Sequence, residues 1–452
     1  MRLRGMRTVL LGPDRLEGLQ RRSCIHRPAA FKDKRVRKPQ KRRDRKEGET
    51  MTRLLVRNAR MVVKGRPVIR QILIDQGRIS RVAVRIKVDA ERNLNAEGNF
   101  VIPGVIDPHV HFREPGLNHK EDWMTGSRAA AAGGVTTVLD MPNVKPPTFT
   151  VKRLQKKRAL ASTSIVNYGF HFGASAQDNT SEIRKARGVA STKVYMNSTT
   201  GNLLVEDIEL IRKIFSCSRM VTAHAEEQQL EDAVRISKET NKRLYLCHVT
   251  LAKELAFLKR AKNRHMFCEA TPHHLFLSSK DEKKLRGFGM MKPVLKSEKD
   301  RRALWAAVNR GLIDAVGSDH APHLLDEKKS AAPPSGVTGL ETMLPLLLDA
   351  FNKRNISLSR IVELTSRNPA RIFGLRNKGS ISPGYDADLC ILDLNMKKKV
   401  RNDELHTKCG WSPFDGWILK GWPMATIVNG NIVFEKGDIF DIKAKEVEYD
   451  EV

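Results

Sequence analysis

Residues 98–116 read GNFVIPGVIDPHVHFREPG. The first half is apolar and β-branched, which predicts a buried strand. Side chains alternate faces along a strand, so His109, His111 and Arg113 are expected to share one face at its end. Imidazoles at i and i+2 can meet one metal ion, and an arginine two residues on can fork onto a carboxylate. An isolated H-x-H is more often just a polar strand end, so the rest of the chain decides. Seven more apolar runs follow between residues 101 and 375: GVTTVLDM, SIVNYGFHFG, TKVYM, RMVTAHA, LYLCHV, HMFCEAT and DAVGSDH. Helical patterns separate most of them: WMTGSRAAAAG, TVKRLQKKRALAS, VEDIELIRKIFS, EEQQLEDAVRISKET, AKELAFLKRAKN and EKDRRALWAAVNRG. Eight strands alternating with helices predict an α/β chain built on a (β/α)8 TIM-type barrel, whose active sites lie at the C-terminal strand ends. His109, His111, Asn143, Lys193, His224, His248 and Asp319 all fall at such ends. That concentration argues for a site.

Outside the barrel, short alternating runs at RLLVRNARMVV and RQILIDQGRISRVAV, and again at ADLCILDL and ATIVNGNIVFEKGDI, predict a small β-sandwich assembled from both ends of the chain. The expected organisation is a basic extension over 1–50, the first part of the sandwich over 51–100, the barrel over 101–375, and the rest of the sandwich with a tail over 376–452.

The 452 residues carry a formal charge of +30, with 40% hydrophobic and 29% charged residues. Residues 1–50 hold seventeen Lys/Arg against six Asp/Glu, a net of +11, and are expected to be disordered. They read as a nucleic-acid arm, as an Arg-rich transit peptide (against which their acidic residues count), or as an upstream stretch that is not translated, since MTRLLVRNARMVV from Met51 resembles a natural first strand. The remaining charge suits an anionic substrate. No aromatic RNA-binding motif or zinc-finger spacing accompanies it, so nucleic acid is not expected as a partner. No apolar run reaches the ~20 residues of a membrane span. The six cysteines, Cys24, Cys217, Cys247, Cys268, Cys390 and Cys409, form no C-x-x-C, and a reducing cytoplasm is the expected compartment.

Four histidines and an aspartate suit zinc or a similar divalent ion. Lys193, in STKVYMN, is the odd member. An ammonium would be repelled by dications, but a lysine carboxylated by CO2 is anionic and can bridge two of them; the alternative is a strand-end lysine paired with an acid. The order H-x-H, Lys, His, His, Asp resembles the binuclear amidohydrolase superfamily. The words PGVIDPHVHFREPG, AAAAGGVTTVLDMPNVKPPT, KVYMNSTTGNLL, AHAEE, LCHVT, EATPHHLFL, GSDHAPH and GVTGLETMLPLLL resemble its dihydroorotase branch, over nearly everything from residue 51 onward.

The resemblance implies two Zn2+ or similar divalent ions per subunit. His109 and His111 would bind the first and carboxylated Lys193 would bridge to the second. His224 and His248 would hold the second, while Asp319 would bind the first and shuttle protons. It implies that Arg113 and Asn143 bind a substrate carboxylate, with His111 and His323 beside them and the backbone at Ser335 and Gly336 holding the ring. One position departs from the pattern: Lys292, before the proline of GMMKPVL, stands where relatives usually place asparagine or arginine, and it offers a point charge without a planar fork. The implied reaction is the reversible cyclisation of N-carbamoyl-L-aspartate to dihydroorotate in pyrimidine biosynthesis, by a homodimer. The rivals are allantoinase-like chains, which usually carry asparagine where Arg113 stands, and dihydropyrimidinase- or hydantoinase-like chains, which lack FREPG. A non-catalytic scaffold would be expected to have lost ligands, and all six positions are filled.

The other polar residues read as supporting. His273 and His274 are expected to orient or pack at the barrel mouth, His171 to make structural hydrogen bonds, and His320 to face away from the metals. Cys247 is expected on the opposite strand face from His248. His119, His265 and His406 show no partner pattern.

Overall fold

In the computed structural model, residues 53–63, 65–198 and 203–450 are described; the basic extension expected over 1–50 lies outside them. Eight parallel strands make the barrel: β1 Val105–Val110, β2 Val135–Asp140, β3 Asn167–Gly173, β4 Ser191–Tyr195, β5 Met220–His224, β6 Arg243–Leu246, β7 Met266–Ala270 and β8 Ala315–Val316. They are hydrogen-bonded in sequence order from β1 to β8. The last gap is spanned by a parallel bridge between Val110 and His320 and by the His111 amide donating to the His320 carbonyl at 2.9 Å. Nearly every barrel-strand residue is buried, as a parallel sheet covered on both faces requires.

All six expected helices form, over 123–132, 151–161, 208–217, 228–240, 252–261 and 298–309. Asp122 and Thr125 close the start of the first with a capping box, and Ser297 and Asp300 the start of the last. A seventh, Leu340–Asn352, follows β8, and a short one, Thr180–Lys185, precedes β4.

FVIPGVIDPHV does not form one strand. Phe100–Pro103 belongs to the small sheet and β1 starts at Val105. The break is at Gly104, where a Cβ would collide with the Thr136 side chain, so the chain can cross there only without one. Phe100–Pro103 is the seam of a nine-stranded mixed sheet, pairing with Leu54–Val63 on one side and with Leu389–Lys399 on the other, Val101 opposite Ile391. Leu54, Val56, Ile72 and Ile74 from the first end share one core with Leu389, Ile391 and Ile427 from the last.

A buried polar knot ties sheet to barrel. Lys378 Nζ lies 2.6 Å from Asp388 Oδ2 and 2.8 Å from Asp386 Oδ2. Asn167, at the start of β3, donates to the same Asp388 oxygen at 3.0 Å. Removing that cation leaves Asp388 without its ammonium in a dry setting, while Lys445 and Arg78 stay 3.5 and 4.0 Å from Asp386. Lys378→Met is therefore expected to cost ~3–5 kcal/mol, the range for breaking a buried pair from one side. Chemical denaturation reads this as a clear fall in midpoint; an unchanged midpoint would contradict it.

Candidate active site

The strand ends converge on one recess lined by His109, His111, Arg113, Asn143, Lys193, His224, His248, Lys292, Asp319, Ser335 and Gly336. Tyr195, His273, Met291, Ala321 and Val337 complete the lining. His323 is not at the surface of the recess but behind Arg113, 3.3 Å from its NH2.

His109 sits on β1. Its Nδ1 meets Glu269 Oε1 at 2.8 Å, and its Nε2 lies 3.3 Å from Asp319 Oδ1. Burial disfavours the imidazolium, yet the Glu269 and Asp319 carboxylates outweigh it and hold His109 well above the usual histidine range. Glu269, on β7, also accepts from the Tyr245 hydroxyl at 2.8 Å and from the His248 amide at 3.0 Å. It thus orients one ring and fixes the backbone of another, the usual work of a carboxylate behind a metal-binding histidine. Sequence reading passed over it; the signal available was an acid in the apolar run HMFCEAT.

His111 lies one residue beyond β1. Its Nδ1 is 2.5 Å from Asn143 Oδ1 and its Nε2 3.0 Å from Asp319 Oδ1. Burial pushes its pKa down to about 4, so the ring is neutral at pH 7. With Nδ1–H donating to Asn143, the Nε2 lone pair faces a carboxylate oxygen. Burial raises the Asp319 carboxyl, but the charge on His109 overcomes it and holds the group well below the usual range. His224 and His248 repeat the motif: Nδ1 of one is 2.8 Å from Nε2 of the other. Burial, then Lys193, lowers His224 to about 3, and burial, then His224, takes His248 well below its usual value. Two neutral rings can share one proton there, whereas a divalent cation takes both lone pairs. His109, His111 and Asp319 offer ligand atoms all within 4.8 Å of one another, as do His109, Cys247 and His248. Imidazole and carboxylate donors facing one another this closely fit a zinc-like ion.

Lys193, on β4 and fully buried, lines the same recess as both groups. Its Nζ donates to Cys247 Sγ at 2.9 Å and lies 5.0 Å over the Tyr195 ring. Among the described residues no acid is within ion-pair distance of it. Cys247 therefore points into the site, against the expectation from strand alternation. β6 ends at Leu246, and His248 has a φ of +36°, so the two-residue period stops before either side chain.

The same correction applies to Arg113. Its φ of +65° and its place three residues past the end of β1 remove it from the His109 face. The guanidinium returns to the recess through the loop, with Nε donating to the Pro322 carbonyl at 3.1 Å. Asp319 also has a positive φ, +46°, strain of the kind that gathers at functional sites. Lys292 Nζ, across the recess, donates to the Ser198 carbonyl at 3.2 Å. Asp107, also unremarked in the sequence, accepts from the His109 and Ser318 amides at 3.1 and 3.0 Å and bolts β1 to β8; burial raises it to about 6.

The supporting histidines are all hydrogen-bonded. His171 meets Ser191 Oγ and the Pro108 carbonyl, His274 the Thr271 hydroxyl and the Pro293 carbonyl, and His320 turns to Glu121. His273 meets Thr271 and lines the recess.

A sequence model of the amidohydrolase family matches residues 100–433. The dihydroorotase of Methanosarcina acetivorans is 36% identical over 417 residues, 82% of this chain and 89% of that relative. That of Methanosarcina mazei is 37% identical over 417 residues, covering 82% and 91%. That of Pyrococcus furiosus is 35% identical over 384 residues, covering 81% and 89%. Among solved structures, the L-hydantoinase (dihydropyrimidinase) of Arthrobacter aurescens superposes with a TM-score of 0.84 at 28% identity, over 88% of this chain and 100% of that one. The dihydropyrimidinase of Brevibacillus agri NCHU1002 gives 0.79 at 23%, over 86% and 96%, a likeness of fold.

Proposed function

This chain belongs to the amidohydrolase family, and from that premise we infer how its site residues divide the work of a dihydroorotase. The activity is that of a hydrolase acting on a cyclic amide: dihydroorotate and water interconvert with N-carbamoyl-L-aspartate. The observation that carries the residue assignment is the convergence of potential metal donors, His109–His111–Asp319 and His224–His248, on one recess that is also lined by a buried lysine with no acid in ion-pair distance among the described residues.

His109, His111 and Asp319 would hold one divalent ion, and His224 and His248 the other, with zinc the reading favoured by the donors. Lys193, carboxylated, would bridge them. Carboxylation explains why the side chain is buried here: a carbamate gains counter-charges that the ammonium lacks. When bound, such ions make water nucleophilic at neutral pH and polarise the amide carbonyl. Asp319 accepts the water proton at a carboxylate oxygen and returns it to the ring nitrogen as the C–N bond breaks. Glu269 keeps the His109 ring in register. Arg113 takes the ring carboxylate, while Asn143 holds His111 and faces the same recess. The backbone at Ser335 and Gly336 lies across from them, with His323 supporting it, and Lys292 adds positive charge on the open side.

We place this reaction in pyrimidine biosynthesis, in a cytoplasmic homodimer. Among the described residues no helix is long and apolar enough to cross a membrane.

The test of the assignment is Arg113→Met. Charge-assisted hydrogen bonds contribute roughly 1.5–3 kcal/mol each. The kcat/KM for dihydroorotate is therefore expected to fall at least ~100-fold, about 2.7 kcal/mol. Metal content should hold, and the low turnover of dihydrouracil, which has no carboxylate, should not move. Equal losses on both substrates would make Arg113 a brace of its loop instead.

A further inference from the structure

The groups behind Arg113 do more than fill space. His323 is buried, and its Nδ1 lies 3.1 Å from Lys120 Nζ. An ammonium can only donate, so Nδ1 must accept. The ring is neutral: burial, with Arg113, Lys120 and Lys328 around it, lowers its pKa to about 2. Its one proton is then on Nε2, which donates to the Ser335 carbonyl at 3.0 Å. An Nε2 that carries a proton cannot also accept from Arg113, so the 3.3 Å approach of Arg113 NH2 is a contact without a shared proton. Apart from that contact, the Arg113 hydrogen bond found among the described residues is the one from Nε to Pro322. Its two terminal nitrogens remain free to pair with a ligand.

The opposite tautomer has a partner ready. Glu327 Oε1 holds Lys120 at 2.7 Å, and Glu327 Oε2 is 3.6 Å from His323 Nδ1. Without the ammonium, an Nδ1–H can turn to that carboxylate. The bare Nε2 would then capture Arg113 NH2 and release the Ser335 carbonyl. Two groups of the recess would be lost through one proton shift.

We propose that Lys120 is a positioning residue for carboxylate recognition: it locks His323 with its proton on Nε2, which pins the Ser335 carbonyl and keeps the Arg113 fork available. The proposal rests on the reading of Arg113 given above, but its first readout does not. Nitrogen NMR on the full chain carrying 15N-labelled histidine, with the His323 signals identified by their loss in His323→Gln, reports the tautomer without substrate. Wild type should show Nε2–H. Lys120→Met should shift His323 toward Nδ1–H, and Lys120→Arg, which also only donates, should restore it. In parallel, KM for dihydroorotate should rise ~10-fold in Lys120→Met with kcat within about twofold, dihydrouracil kcat/KM should fall by less, since that ring loses the Ser335 contact but never used the Arg113 fork, and Lys120→Arg should stay near wild type. Should Lys120→Met not fold, Lys120→Ala, which likewise offers Nδ1 no donor, carries the same expectations.

An unchanged tautomer in the variant overturns the proposal. So does a shifted tautomer with an unchanged KM, or with both substrates affected alike. If wild type fails to turn over dihydroorotate, the site reading falls, while the link from Lys120 to the tautomer is still decided by the spectrum.

Discussion

Lys193→Ala is expected to lose metal and activity together. The lysine lines the recess with both ligand groups and donates to Cys247, whose sulfur lies near both His109 and His248 but cannot supply the two oxygens of a carbamate. With alanine, His109, His111 and Asp319 are separated from His224 and His248 by a void where an anion belongs. Turnover should drop at least ~10⁴-fold, the upper end of what one acid–base group supplies, because on the proposed assignment both ions would depend on the bridge. Metal analysis on the same sample should show one or both ions gone. Short carboxylic acids should recover part of each, since they can occupy the void and restore two oxygens. Retention of both metals with full turnover would refute carboxylation. Mass spectrometry of the native protein gives an independent reading, as the carbamate adds CO2 to one lysine.

Asp319→Asn is expected to be nearly as damaging by a different route. The carboxylate faces both His109 and His111, at 3.3 and 3.0 Å, and is held ionised by the His109 charge despite its burial. The amide keeps shape and loses both the charge and the basic oxygen. General acid–base catalysis alone contributes 10²–10⁴-fold; kcat should fall beyond that because ligation weakens as well. Much of the metal should remain, which separates this variant from Lys193→Ala. A mutant within tenfold of wild type would remove Asp319 from the proton path.

These two residues were legible in the sequence for a common reason. A barrel strand buried on both faces reads as an unbroken apolar run, and a polar residue at its end stands out against it. Each of the eight runs supplies a barrel strand, and Lys193 within β4 meets His224, His248 and Asp319 from the ends of theirs in one recess. Features set by the backbone just past a strand were not legible. The two-residue period placed Arg113 beside the histidines and Cys247 away from them, and positive φ values at Arg113 and His248 undo both inferences. Pairings across the barrel were hidden for another reason: nothing local joins Glu269 to His109, 160 residues away, or Lys120 to His323. His406, which shows no partner in the sequence, sits 2.9 Å from Glu341, 65 residues away. The break at Gly104 looked like a continuous strand because apolar residues flank it on both sides, yet they serve two different sheets.

The solved relatives named hydantoinase and dihydropyrimidinase share the barrel, so the fold alone does not choose the substrate. On the proposed assignment Arg113 makes that choice: a buried guanidinium facing the recess is useful to a ring carboxylate and of no use to a ring without one. The most direct test is a turnover assay of the purified full chain with dihydroorotate, dihydrouracil, hydantoin and allantoin, with metal content measured on the same sample. The account predicts close to two divalent ions per chain and a kcat/KM for dihydroorotate at least ~100-fold above the other three, the margin expected of one charge-assisted carboxylate contact. A higher kcat/KM for hydantoin, dihydrouracil or allantoin would contradict it.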